Sequence, residues 1–189
     1  MPLIEISGPA GEPVTSAEIK AAARIDGSEF DSQLAIIIPA LRHRAEALTG
    51  RRLITQTVEL VLDAFPAADI DLLLPNVQSI VSVKYIDTAG VEQTLASNLY
   101  SLDSASTPCW LLPAYGTDWP ETLATANAVR VRFTVGYGAG AANVPYDIRL
   151  WLIAHAAQVL RVPEGITQGD LRELPFVDHL LDAHKVWRA

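Results

Sequence analysis

The sequence predicts an α+β fold: a helical bundle built from both ends of the chain, with an antiparallel β part inserted between them. Three observations carry this reading. From Phe30 to Leu48 apolar residues recur at steps of three and four, the spacing of one helix face. From Leu53 to Val135 the period shortens to two, and strand patterns follow one another with no helical pattern between them, which favours antiparallel pairing. Beyond Pro145 the helical period returns. The expected boundaries are 1–51 and 144–189 for the helical part and 52–143 for the β part.

Taken in order, residues 1–14 hold Pro2, Gly8, Pro9, Gly11 and Pro13 and predict an extended arm, either frayed or ordered against a neighbour. Thr15 and Glu18 have the spacing of a capping box, so a short helix is expected over 15–24. In the long helix, Phe30, Leu34, Ile37, Ile38, Leu41, Ala45 and Leu48 line one face. Ser28 is placed to cap it, Asp31 to favour its dipole and Gly50 to end it. Pro39 lies inside this helix and should kink it, because it has no amide to donate and its ring displaces the carbonyl four residues back. Strands are expected at 53–62, 70–74, 79–86, 91–95, 99–102, 110–112 and 129–135. The turn at 87–90 makes a hairpin of the third and fourth. In the last strand Arg130 and Arg132 stand opposite Val129, Val131 and Phe133. Glycines and alanines at 136–144 lead to a helix over 146–160, and a final segment, 174–187, can be helical from Pro175.

Composition limits the function classes. Half of the residues are hydrophobic and 19% charged, the balance of a folded chain. No apolar run approaches the ~18 residues of a membrane span, and the N-terminus lacks the pattern of a secretory signal. A single cysteine, Cys109, excludes an intramolecular disulfide and fits a reducing compartment. The net charge of -8 argues against a grip on nucleic-acid phosphates. The acidity is concentrated in the middle: residues 58–143 carry three basic and nine acidic side chains. Solubility accounts for this, and so does a surface that repels passing DNA.

No constellation points to catalysis, a metal or a cofactor. The run Gly136-Tyr137-Gly138-Ala139-Gly140 follows a strand but lacks both the dinucleotide spacing and an immediate helix, so a sharp exit from the sheet is the better account. His179, Asp182 and His184 do not share one helix face, so Asp178, His179, Asp182 and His184 read as polar surface residues rather than metal ligands. Cys109, with His43 or His155 as base, is the one conceivable nucleophile, and a small core residue is the simpler reading. His155 lies within an apolar helix and reads as a satisfied core or interface histidine. Trp187 stands near the chain end, where an aromatic either packs back on its own helices or enters an interface.

A series of motifs resembles the head–tail connector, or adaptor, proteins of long-tailed phages, prophages and gene transfer agents. They are P-V-T-S-A-E-I-K at 13–20, A-E-A-L-T-G-R-R-L-I-T-Q-T at 45–57, L-D-A-F-P at 62–66, L-P-N-V-Q-S-I-V-S-V-K-Y-I-D at 74–87, W-P at 119–120, V-R-F-T-V-G-Y-G at 131–138 and V-P-Y-D-I-R at 144–149. The resemblance implies a ring, typically of twelve, beneath the portal protein. Such a ring extends the DNA channel without sequence-specific binding and gives tail-side stopper or terminator proteins a docking platform. It implies a neck location in a particle assembled in the bacterial cytoplasm, with no catalysis, no cofactor and no membrane. Pro39 and the span 165–174 depart from the family pattern. Two groups of site residues are expected. Phe176, Leu180, Leu181, Lys185, Trp187 and Arg188 are the candidate portal-docking residues. Glu59, Asp63, Asp69, Asp71, Asp87 and Glu92 are the candidate channel-facing acids. The alternative function is a tail or baseplate module that holds a ligand on its β part.

Overall fold

A computed structural model describes residues 2–161 and 175–186. In chain order the elements are β1 (Leu3–Ser7), α1 (Ser16–Ala23), α2 (Asp31–Thr49), β2 (Gln56–Leu62), β3 (Ile70–Asp71) and β4 (Val77–Ile86). They continue with β5 (Glu92–Thr94), β6 (Tyr100–Asp103), β7 (Trp110–Pro113), β8 (Val129–Val135), α3 (Tyr146–Arg161) and α4 (Pro175–Asp178). The chain forms two compact units. Met1–Ala10 and Thr55–Tyr137 make a β unit; Gly11–Ile54 and Gly138–Ala189 make a helical unit.

In the β unit one five-stranded sheet runs β1-β2-β8-β4-β5 and a three-stranded sheet runs β3-β7-β6, with every pairing antiparallel. β8 is central because its sequence alternates without a break. Val129, Val131, Phe133 and Val135 are buried while Arg130 stays exposed, and the strand pairs with β2 over seven residues without a slip. These side chains join Val58, Leu60, Val83, Leu111 and Cys109 in one core cluster. β4 is bulged at Gln78, whose amide Nε2 donates to Thr55 Oγ1 and to the Gly136 carbonyl, each at 2.9 Å. The expected hairpin is present, closed by Asp87: its Oδ1 accepts the N–H groups of Ala89 and Val91, both at 2.9 Å.

The N-terminal arm is a correction to the sequence reading. Leu3–Ser7 is an edge strand paired with β2, so the first ten residues belong to the β unit. Leu3, Ile4 and Ile6 give the run enough β character to outweigh the prolines, which lie outside it at positions 2 and 9.

The helical unit follows its local signals closely. The capping box forms: Thr15 Oγ1 accepts the Glu18 N–H at 3.3 Å, and Glu18 Oε2 accepts the Thr15 N–H at 2.8 Å. α2 starts later than expected. Phe30 takes the cap position with no side-chain bond, and Ser28 contributes only its carbonyl, to Asp31 N. Asp31 instead accepts from Lys20 Nζ at 2.7 Å, which ties the first turn of α2 to α1. The helix runs through Pro39 and ends at Gly50, whose φ of 69° is the left-handed conformation a helix end uses. Leu53 is not yet strand; β2 begins at Gln56 because the chain between is held by Glu46.

Candidate assembly surfaces

Glu46 is the most buried acid among the described residues, 3% exposed on the apolar side of α2. Its Oε1 accepts the Leu53 N–H at 2.9 Å, and its Oε2 lies 3.4 Å from Arg42 Nη1 and 3.3 Å from Arg52 Nη1. Arg42 Nε in turn donates to Glu12 Oε2 at 2.9 Å. This chain of charges fixes the exit from α2, and it explains the E-A-L-T-G-R-R-L motif physically: the acid turns back to hold the backbone seven residues on. The sequence signal was an acid placed beside buried Ala45 and Thr49.

The C-terminal segment is folded onto its own unit as far as it is described. After α4 a 3₁₀ turn spans His179–His184. His155 bridges α3 to α4: its ring stacks on Trp151 at 4.1 Å, its Nδ1 lies 2.9 Å from the Trp151 carbonyl, and its Nε2 is 3.1 Å from Asp178 Oδ1. His184 Nε2 meets Asp147 Oδ2 at 2.9 Å, Arg51 Nε donates to the His184 carbonyl at 2.6 Å, and Val186 N–H donates to the Thr49 carbonyl at 2.9 Å. The His184 contact holds the Asp147 carboxyl below its ordinary range. A groove of about 380 Å³, lined by Leu41, Leu48, Trp151, His155 and Leu181 among others, runs beside this clasp.

These contacts revise the docking expectation. Leu181 is 1% exposed, a core residue and not a free contact. Leu180 is half-buried, and Lys185 Nζ is engaged with Asp182 Oδ1 at 2.6 Å. Phe176, 75% exposed, is the one apolar candidate presented to solvent among the described residues. Trp187 and Arg188 lie outside the described residues.

The six candidate channel acids differ in their surroundings. Glu59 is 8% exposed and paired with Arg132, whose Nε and Nη2 lie 2.9 and 2.8 Å from Glu59 Oε2. β8 places that cation beside it. Glu92 pairs with Lys84 at 2.8 Å, and that hydrogen bond lowers its pKa. Asp63 accepts the Asn127 N–H at 2.8 Å, and Asp71 the Leu73 N–H at 2.7 Å. Asp87 closes the hairpin, and the bond from Val91 N–H is the chief cause of its lowered pKa. Asp69 is exposed.

The β unit also has an open groove of about 500 Å³ that sequence reasoning missed. Phe65 and Trp119 stack in parallel at 5.0 Å within it, and Trp119 Nε1 donates to the Ala68 carbonyl at 2.9 Å. Pro113 and Pro120 line it, and Asp118 and Glu121 stand exposed at its rim. The F-P and W-P pairs were its only trace in the sequence.

Cys109 is fully buried in the β core, whereas all four histidines of the chain belong to the helical unit. No group of three or more metal-type ligands occurs among the described residues, and none of their helices is long and apolar enough to cross a membrane. His179 pairs with Asp182 at 2.8 Å and His184 with Asp147, two separate contacts.

The chain matches no protein-family model and no curated protein. It does match solved structures over its whole length. A chain of the neck of an empty gene transfer agent particle, computed with C6 symmetry, superposes with a TM-score of 0.82 at 23% identity, covering 100% of this chain and 97% of that one. The chain shares the fold of that neck chain. A chain of the native gene transfer agent virion gives 0.81 at 24% identity, and one of the native neck computed with C12 symmetry gives 0.74 at 25%, with the same coverages. The neck fold thus includes both units described above.

Proposed function

We propose that this protein is a structural component of the neck of a phage-like particle, where it acts as a head–tail connector. The observation that carries the reading is the end-to-end match to chains of gene transfer agent necks, with 97% of each of those chains covered. In this reading copies form a ring, a dodecamer in the twelvefold case, beneath a portal protein. The ring extends the DNA channel and receives tail-side stopper or terminator proteins. A net charge of -8 suits a conduit through which DNA slides, since bound cations would hold its phosphates. Asp63, Asp69, Asp71 and Asp87 are the acids proposed for the channel side; Glu59 and Glu92 each bring a paired cation with them. Phe176 and Leu180, with Lys185, Trp187 and Arg188, are the residues proposed to meet the portal. The protein would be assembled in the bacterial cytoplasm and would act without catalysis.

The test is native mass measurement with negative-stain imaging of the purified chain, alone and mixed with the portal protein of its particle. Rings, or a monomer that forms rings only on the portal, are expected. A monomer or dimer indifferent to the portal would sink the connector reading. The Phe65–Trp119 groove would then favour the second reading, a tail or baseplate module that holds a ligand.

A further inference from the structure

The β unit is acidic, with three basic residues against ten acidic ones, yet its cations are not scattered. Lys84 faces Arg130 across β4 and β8, and Arg132 follows two positions along β8, so all three stand on the face opposite the buried Val129, Val131 and Phe133. Two of them are already paired within the unit, Lys84 with Glu92 and Arg132 with Glu59. Arg130 is exposed and makes no close ion pair among the described residues, although it lies near enough to Glu92 to help hold that carboxyl below its ordinary range. A guanidinium held on the central strand of a rigid sheet, in a unit otherwise negative, is a preformed contact group.

The groove beside Trp119 has the complementary chemistry. Its indole is fixed by the Phe65 stack and by the Ala68 carbonyl. Pro113 and Pro120 shape the walls, and Asp118 and Glu121 are exposed at the rim without an ion pair among the described residues. A flat aromatic face with carboxylates beside it receives a guanidinium through stacking and charge-assisted hydrogen bonds. The anionic rim disfavours a nucleic acid as the occupant. We propose that Arg130 of one copy enters the Trp119 groove of a second copy, with Asp118 and Glu121 as its counter-charges. Donor and acceptor belong to different surfaces of the same chain, so the contact is head to tail and repeats around a closed ring. This rests on the ring reading above and specifies which faces of the β unit meet.

The test uses the full chain in four forms: wild type, R130E, D118K/E121K, and the variant combining all three changes. Assembly is followed by sedimentation velocity and negative stain, alone and on the portal protein, with circular dichroism to show that each form is folded. R130E and D118K/E121K should each raise the concentration needed for assembly about tenfold or more, and the combined variant should recover part of that loss, the charge pairing without the stacking. Rising salt should weaken the wild-type contact. Single reversals that assemble like wild type, or a combined variant no better than its parents, would overturn this contact and leave the ring standing. A wild-type chain that never self-associates, alone or on the portal, would overturn both.

Discussion

Glu46 is the residue whose removal should matter most. Its carboxylate is shared by the Leu53 amide and two arginines, and it is almost wholly withdrawn from water. Replacing it with alanine removes the acceptor of the Leu53 N–H and takes a counter-charge from Arg52 and from Arg42, which keeps only Glu12. The expected loss is about 3 kcal/mol in urea denaturation, with Glu46→Gln costing less because an acceptor for Leu53 N–H remains. Gly138 makes a second prediction at this scale. A Cβ there would lie 2.3 Å from Asn143 Cγ, while Asn143 Oδ1 accepts the Gly140 N–H at 3.3 Å. Gly138→Ala should therefore cost about 1–3 kcal/mol. A Cβ at 138 would also lie 2.6 Å from Asn143 Cβ, so most of that cost should disappear only in a Gly138→Ala/Asn143→Gly background, where Asn143→Gly alone loses the Gly140 bond. A double-mutant cycle would read the coupling.

At the scale of elements, α1 should respond to acid. The Glu18 pKa is lowered, first by the bond from the Thr15 backbone, and Arg149 adds to the effect. A carboxyl depressed in the folded state contributes stability that is present above its unfolded value and lost as pH falls through the folded one. Thermal melts between about pH 5 and pH 3 should show this loss, and Glu18→Gln should flatten that part of the profile. The C-terminal segment gives a different prediction. His155 and His184 join it to α3 through Asp178 and Asp147. Replacing both histidines with alanine should increase amide exchange at Val186, whose N–H is bound to the Thr49 carbonyl, by about tenfold or more while exchange within α2 changes little. Equal exchange in both proteins would show that Leu181 burial and the backbone contacts to Arg51 and Thr49 hold the segment without the histidines.

For the whole molecule, two unlike units in one chain suit a ring, because a closed cyclic contact joins one face of a subunit to a different face of the next. Removing the chain beyond Leu174 should leave a folded protein that no longer joins filled heads to tails, if that segment meets the portal. Because Leu181 lies in the helical core, the truncated form should also melt at a lower temperature. A narrower variant, Phe176→Ser, separates the two effects: it should leave stability within about 0.5 kcal/mol of wild type, since the ring is already in water, and still weaken head attachment. Normal attachment by both variants would remove the segment from the portal contact.

The sequence by itself determined the elements whose cause is local. The alternation of β8, the Thr15–Glu18 box, the glycine that ends α2 and the hairpin over Asp87 each depend on residues within a few positions of one another. Hence fold class and strand order along the chain were legible. Tertiary structure decided what required residues distant in sequence. β1 became a strand because β2 had an open edge. Glu59 is paired because Arg132, 73 positions away in the chain, faces it across the sheet. Leu181 became core because α3 and α2 offered it an apolar seat, and the Trp119 groove arose where Phe65 met an indole 54 positions later. Periodicity records which side of an element is apolar; it does not record which other element covers that side, and the candidate surfaces depend on that covering.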